Sequence, residues 1–395
     1  LSKLNKFSRK DAKDAKLEFM KKISVSICVY LWLIIFCLSI SAQDFKVVQD
    51  GIEYAELERV IDKTPVKMNL LRLDLTKVRL DVVHAFDSAI GVEKTSSIAA
   101  RHGAIAAINA GFFRLDNSLL AGEAAGILQI DDNLLSESNQ TRIALFISND
   151  ANRTDVKIGH LDAWATVTIN KKFFQISGIN TERKDNELIL YTPEFNRTTL
   201  TESSGIEIVV RKNKVVKVNV NKGSTEIPAD GFVLSATGKG IVPADFLEYA
   251  KVKSKVRLAY NFARIDKGET DASGEDIVGG VPQLIRNGQI EITWEQEKTS
   301  KSFVETRHPR TAVARLKDGK FLMVTVDGRS ESSGGIGLED LAKLLLEFGA
   351  VDAMNLDGGG STTMFLDGKI VNHPSDKEGE RKVSDAILVF PRKKN

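Results

Sequence analysis

Only two cysteines occur in the 395 residues, Cys28 and Cys37, and both lie inside one apolar stretch near the start. No disulfide framework or paired-cysteine metal site can therefore hold the rest of the chain together. Histidine is scarce as well: the five stand scattered at 84, 102, 160, 308 and 373, which leaves little for a histidine-rich metal centre of the kind that attacks phosphorus. There is no GxxxxGK[ST] loop, no GxGxxG opening a helix, no GxSxG elbow and no HExxH. Those absences remove P-loop enzymes, dinucleotide-binding folds, α/β-hydrolases and zincins. An excess of one charge is missing too, because 55 Lys and Arg meet 53 Asp and Glu, whereas a dedicated nucleic-acid binder is strongly basic. With only eight prolines, no fixed-period repeat and no low-complexity tract, nothing reads as a linker cutting the body into separate domains.

The charge balance hides a division. Residues 1–42 hold eight basic and three acidic side chains, so the remainder is mildly acidic, 47 against 50. Met20-Lys21-Lys22 leads into ISVSICVYLWLIIFCLSISA, closed by Ser39, Ser41 and Ala42, which has the form of a secretory signal peptide. The expectation is a start at Met20, with residues 1–19 a mis-called extension, and cleavage after Ala42. The alternative is an uncleaved anchor, since the apolar run is long enough to span a membrane. Lipid modification of Cys37 is a weaker option, because Phe36 is large for the position before a lipoprotein cysteine. The expected location is exported, in the periplasm or on the surface of a bacterium.

After the leader, 52–60, 66–74 and 78–86 read as a small antiparallel meander. A helix is expected over 95–102, running through Gly103 into the strand AIAAI that stops at Asn109. From about 140 to 300 strand follows strand. Further on, TAVARL and FLMVTV flank Lys317-Asp318-Gly319-Lys320, a strong hairpin signal. Counting outward from a two-residue turn sets Leu316 against Phe321, Thr311 against Val326 and Arg310 against Asp327, so that an Arg310–Asp327 ion pair is predicted. GLEDLAKLLLEFG places Leu338, Leu341, Ala342, Leu345 and Phe348 on one helical face, ended by Gly349. VDAMNL then reads as a strand, and such a unit is normally a crossover between parallel strands. That expectation makes the fold class α+β, a mixed sheet with a strand-helix-strand crossover in the C-terminal part and a β-rich middle segment.

In such a sheet Asp327 and Asp357, each just past a strand's carboxyl end, fall at one edge, where ligands bind. Alternation points Asn355 and Asp357 to one side. Gly358-Gly359-Gly360 lets backbone amides approach a ligand oxygen, which suits an anion. A second Asp-Gly turn at 367–368 sets Thr362 opposite His373. Each piece also has a bland reading. An Asp-Gly pair is more often a plain turn than a catalytic site, and Arg310 as half of a surface ion pair would matter by only about 0–1 kcal/mol. His84, His102 and His160 are read as structural, while His308 and His373 stand as candidates.

NAGFF at 109–113, GGVPQLIRNGQ at 279–289, RHPRTAVAR at 307–315, VDGR at 326–329, NLDGGGST at 355–362, HPSD at 373–376 and RKVSDAILV at 381–389 recur in that order in the phosphodiester glycosidase family. From about 100 to 390 the sequence resembles that family. The resemblance implies an α+β domain with one polar surface cavity that hydrolyses the bond between a sugar anomeric carbon and a phosphodiester, as in N-acetylglucosamine-1-phospho-sugars. It carries over Asn109, Phe112, Gly280, Arg310, Thr311, Asp327, Arg329, Asn355, Asp357, Gly358, Gly359, Ser361 and Arg381 as cavity residues. Gly360, His308 and His373 complete the substrate-binding candidates. Ala110 departs from the family, many members of which have a second glycine there, and Glu123 lies in a loop that does not align with the family pattern. The division then expected is a leader over 1–42, a meander over 43–90 and a phosphodiester glycosidase domain over 91–395 with a β-rich insert at about 140–300.

A glycosidase usually needs two carboxylates. With a phosphate ester as leaving group, stabilising charge matters more than donating a proton. The expected roles are Asp357 as base or nucleophile, Asp327 orienting Arg310 or sharing acid-base work, Glu123 as a reserve carboxylate, and Arg310, Arg329 and the glycine amides on the phosphate. No cofactor is expected, with a divalent metal held by carboxylates alone left open. The partner is a small molecule or glycan carrying a glycosyl phosphodiester, with no nucleic acid and no membrane contact beyond an uncleaved leader. Oligomeric state is left open. The rival reading is a non-catalytic envelope protein that binds glycans or sugar phosphates.

Overall fold

The computed structural model describes residues 45–238, 246–264 and 274–392; the signal-like stretch, Cys28 and Cys37 lie outside them. Residues 46 onward form one compact unit. Among the described residues no helix is long and apolar enough to cross a membrane.

Strands dominate, and this overturns the α+β expectation. The helices are short, and among the described residues the longest is Leu338–Glu347. The largest sheet runs in the order Lys46–Gln49, Ile52–Ile61, Thr64–Leu73, Phe321–Val326, Arg310–Leu316, Ala350–Asn355, Gln283–Arg286, Gln289–Ile290. The expected crossover therefore makes no parallel pair. Phe321–Val326 and Ala350–Asn355 are each hydrogen-bonded antiparallel to Arg310–Leu316, which lies between them. Helix periodicity in 338–348 was a sound guide to the helix itself, which buries Leu338, Leu341, Ala342, Leu344 and Leu345. Periodicity says nothing about which strand fills the gap between the two that a helix joins.

The second sheet near the site runs Lys369–Ile370, Met364–Leu366, Ala106–Asn109, Asp385–Pro391, Val78–His84. Its inward residues Leu80, Ile108, Met364, Ile387 and Val389 pack with Leu71, Met323, Val313 and Met354 of the large sheet in one core. The other face of the last strand, Ala386 and Leu388, packs on Ile98 and Ala99 of the helix Thr95–His102. Within the long middle stretch, Ser138–Asn149 serves two cores by simple alternation. Ile143, Leu145 and Ile147 join the first core, and Ala144 and Phe146 a second built from Leu161, Val167, Leu190, Ile208 and Leu234.

The hairpin at 317–320 differs from the two-residue count by one position. Arg315, not Leu316, faces Phe321; Thr311 faces Thr325; and Arg310 faces Val326. The loop holds three residues, with Gly319 at φ +84 and its N–H bonded to the Leu316 carbonyl, the glycine-bulge form of a hairpin. At 367–368 the two-residue count holds: Leu366 faces Lys369 and Phe365 faces Ile370, with Asp367 and Gly368 both at positive φ.

Candidate active site

Where the two sheets meet, Asn109 ends its strand fully buried and ties both ends of the glycine loop together. Its Nδ2 donates to the Asp357 carbonyl at 2.7 Å, while its Oδ1 accepts from Thr311 Oγ1 at 2.8 Å and from the Thr363 amide at 3.1 Å. The Asp357 amide in turn donates to the Ala110 carbonyl at 2.9 Å. Asp357 is thus held by the backbone on one side and by a buried amide on the other. Its carboxyl pKa is pushed up to about 6, chiefly by burial, against the opposing pull of Ser361, Arg381 and the Gly358 amide; Asp385 adds to the rise.

The three glycines are needed, each for a different contact. A Cβ on Gly358 would lie 2.7 Å from the Pro309 carbonyl oxygen, Gly359 has φ +61, and a Cβ on Gly360 would strike Arg381 and Asp376 at 2.1 and 2.2 Å. The loop bends through Gly359–Ser361 as one 3-10 turn. Arg381 donates twice to Asp376, at 2.7 and 3.0 Å, beneath Gly360. Arg329, itself at φ +62, lies over Gly359, with Nη1 3.4 Å from Ser375 Oγ and 4.0 Å from Asp376. Two guanidiniums therefore bracket the loop. Of the amides expected on an anion, that of Gly359 is already given to the Pro309 carbonyl at 2.9 Å and that of Gly358 turns to the Asp357 carboxyl.

Asp327 is buried, and its Oδ1 accepts from the His373 amide at 3.0 Å and from Asn372 Nδ2 at 3.3 Å. Asn372 also donates to the Thr362 carbonyl at 3.0 Å, so Asp327 is joined to the far end of the glycine loop. Burial raises its pKa. His373 bonds Asp327 through its backbone amide, and the residue is exposed. His308 pairs by backbone with Ile336, and burial together with Arg310 and Arg329 lowers its pKa.

The predicted Arg310–Asp327 ion pair does not form. Shifted by one position in the hairpin, Arg310 turns to the opposite side, where its guanidinium is 2% exposed and donates to the carbonyls of Ile336, Phe303 and Thr306 at 3.2, 2.7 and 2.8 Å. It also lies 4.9 Å from the Phe303 ring centroid, and Phe303 makes an edge contact with Phe112 at 6.2 Å. The Arg310 side chain therefore faces Phe303 and Phe112, while its backbone lies against Gly358. Asn355 is also turned inward: its Nδ2 donates to the carbonyls of Val281 and Leu356, and a Cβ on Gly280 would sit 2.4 Å from its carbonyl oxygen. Gly280→Ala is expected to lower stability by about 1–3 kcal/mol, read as a drop in the denaturant midpoint at constant slope; an unchanged midpoint would mean that the 280–282 segment yields freely. Glu123 shares the loop of Phe112, but its carboxylate bonds Thr181 and lies 3.7 Å from Arg114, with burial raising its pKa. No partner of Glu123 belongs to the glycine loop.

Two residues escaped the sequence reading. Asp376, within the HPSD run, is the common anchor of Arg329 and Arg381. Asp385, in the final strand, is buried beside Gly111. The sequence signal for both was the same: an acidic residue inside a motif read for its other members. Among the described residues no group of three or more His, Cys, Asp and Glu is placed to hold a metal ion.

Residues 204–390 match the phosphodiester glycosidase family. Over 117 residues the chain is 38% identical to the bovine N-acetylglucosamine-1-phosphodiester alpha-N-acetylglucosaminidase, a stretch covering 27% of this chain and 22% of the bovine one. The chain thus spans about a fifth of that relative's length. In fold it is similar to a hypothetical protein from Synechocystis (TM-score 0.74, 24% identity, 87% of this chain and 63% of that one). It is also similar to a putative exported protein from Burkholderia pseudomallei (TM-score 0.70, 24% identity, 83% and 74%).

Proposed function

We infer that this chain, whose residues 204–390 match the phosphodiester glycosidase family, is an exported hydrolase that cleaves the sugar-phosphate bond of glycosyl phosphodiesters such as N-acetylglucosamine-1-phospho-sugars. The observation that carries the reading is a carboxyl with pKa pushed up to about 6, Asp357, at the root of a side-chain-free loop bracketed by Arg329 and Arg381. Ionised, Asp357 attacks the anomeric carbon or takes a proton from the water that does. The bond from that carbon to the phosphate oxygen breaks, the phosphate leaves as a monoester dianion, and water completes the sugar. A leaving group already anionic calls for fixed positive charge more than for a strong acid, and the two guanidiniums supply it. The bovine relative's activity is of this class, and the signal-like leader favours action outside the cytoplasm.

The test is product analysis in 18O-water with N-acetylglucosamine-phospho-mannose and the full chain. Free N-acetylglucosamine carrying the label, with unlabelled mannose phosphate, is the expected outcome. Label in the phosphate, or release of N-acetylglucosamine 1-phosphate, means attack at phosphorus and overturns the reading, as does an intact substrate.

A further inference from the structure

Asp385 opens the final strand at 1% exposure, and a carboxylate so placed must be paired. Its Oδ1 accepts from the Gly111 amide at 2.5 Å, its Oδ2 from Ser384 Oγ at 2.7 Å, and its cross-strand neighbour is His84. His84 is equally buried, with Nε2 2.9 Å from the Gly122 carbonyl and Nδ1 3.2 Å from that of Ala85. Carbonyl oxygens only accept, so whichever ring nitrogen carries a proton has a carbonyl to receive it.

Ala110 sits between this pair and the glycine loop. Its amide donates to the Asp385 carbonyl at 3.2 Å, and its own carbonyl takes the Asp357 amide at 2.9 Å. Asp385 therefore grips Ala110 by backbone and Gly111 by side chain, one residue before Phe112. We propose that Asp385, the cross-strand neighbour of His84, is a positioning residue for Asp357: it locks the Asn109–Phe112 segment against the glycine loop and sets a second carboxyl behind the reacting one. The proposal rests on the reading of Asp357 as that carboxyl. The effect of Asp385 on Asp357 is to add to the rise in its pKa that burial begins.

The charged groups around the pair fall into two sets. Ahead lie Asp357 and, beyond it, Arg381. Behind His84 is a cavity of about 360 Å³ whose charged lining is Arg79, Asp81, Asp87, His102, Asp131 and Glu194. Arg79 pairs with Asp81, and Asp87 with Arg101 and His102; His84 both lines that cavity and neighbours Asp385 across the strands.

The experiment is carboxyl NMR of the full chain labelled at aspartate, the Asp357 signal being assigned by its loss in Asp357→Asn. Asp385→Asn keeps an acceptor for Gly111 and removes the charge. The Asp357 midpoint should then fall by about one pH unit, and the acidic limb of the turnover profile should move with it. A folded Asp385→Asn protein with an unmoved midpoint overturns the proposal. Should that variant not fold, wild type decides: the Asp357 and Asp385 signals must share inflections as a coupled pair, and two independent single steps overturn it. The midpoint needs no substrate, so missing hydrolysis defeats the functional reading without touching this one.

Discussion

Asp357→Asn should reduce turnover of a glycosyl phosphodiester by about a thousandfold or more while leaving KM nearly unchanged, since the lost group acts on the reacting carbon and not on ground-state binding. In wild type the rate should rise with pH through a midpoint near 6, where Asp357 loses its proton. Stability should move the other way. The pKa is raised in the folded state, so its contribution favours folding below the ordinary carboxylate range and is lost as pH climbs through about 6. The Asn variant should thus melt no lower than wild type at pH 8, the pattern of a group kept for activity at the expense of the fold. Turnover within threefold of wild type would remove Asp357 from the chemistry.

Arg310→Ala should cost about 3–5 kcal/mol of stability, measured as a large fall in the urea midpoint. The guanidinium is buried with no carboxylate bonded to it. It serves the carbonyls of Phe303 and Thr306, at the end of the short helix Lys301–Glu305, and that of Ile336 across the chain. A positive charge at a helix C-terminus is favourable, and its removal strands three buried acceptors together. Burial lowers its pKa to about 10, which still leaves it charged at neutral pH. Arg310→Lys should recover only part of the loss, because one ammonium cannot reproduce the planar fork. An Arg310→Ala protein as stable as wild type would refute this account and return the residue to direct work on substrate.

The chain showed its elements more readily than their arrangement. The helix at 338–347, the strand after it and the 367–368 turn follow from periodicity and turn chemistry, which act over a few residues. The 317–319 turn failed by one position because Asp-Gly is compatible with both a two-residue and a three-residue hairpin, and the choice depends on how the paired strands twist. That single step moved Arg310 from the predicted ion pair to a buried anchor. The α+β class failed for a longer-range reason: the antiparallel partner between 321–326 and 350–355 is the hairpin strand 310–316, and nothing local announces where a third strand inserts. Of the candidate residues, Asn109, Thr311, Asp327, Asp357, Arg329 and Arg381 converge around the glycine loop, whereas Glu123 and Arg310 spend their polar atoms elsewhere, and Asn355 gives its Nδ2 to the carbonyls of Val281 and Leu356. The pairing of Asp385 with His84 could not be read, because nothing local shows that their two strands lie side by side.

Asp385–Pro391 lies in the middle of its sheet, paired on one side to Val78–His84 and on the other to Ala106–Asn109. Both flanking strands are synthesised some three hundred residues earlier and have no direct hydrogen bonds to each other. During translation they must wait as open edges until the closing strand emerges from the ribosome. A chain broken off before Asp385 therefore loses the keystone of that sheet, and with it the contacts to Ala110 and Gly111 behind the carboxyl at 357.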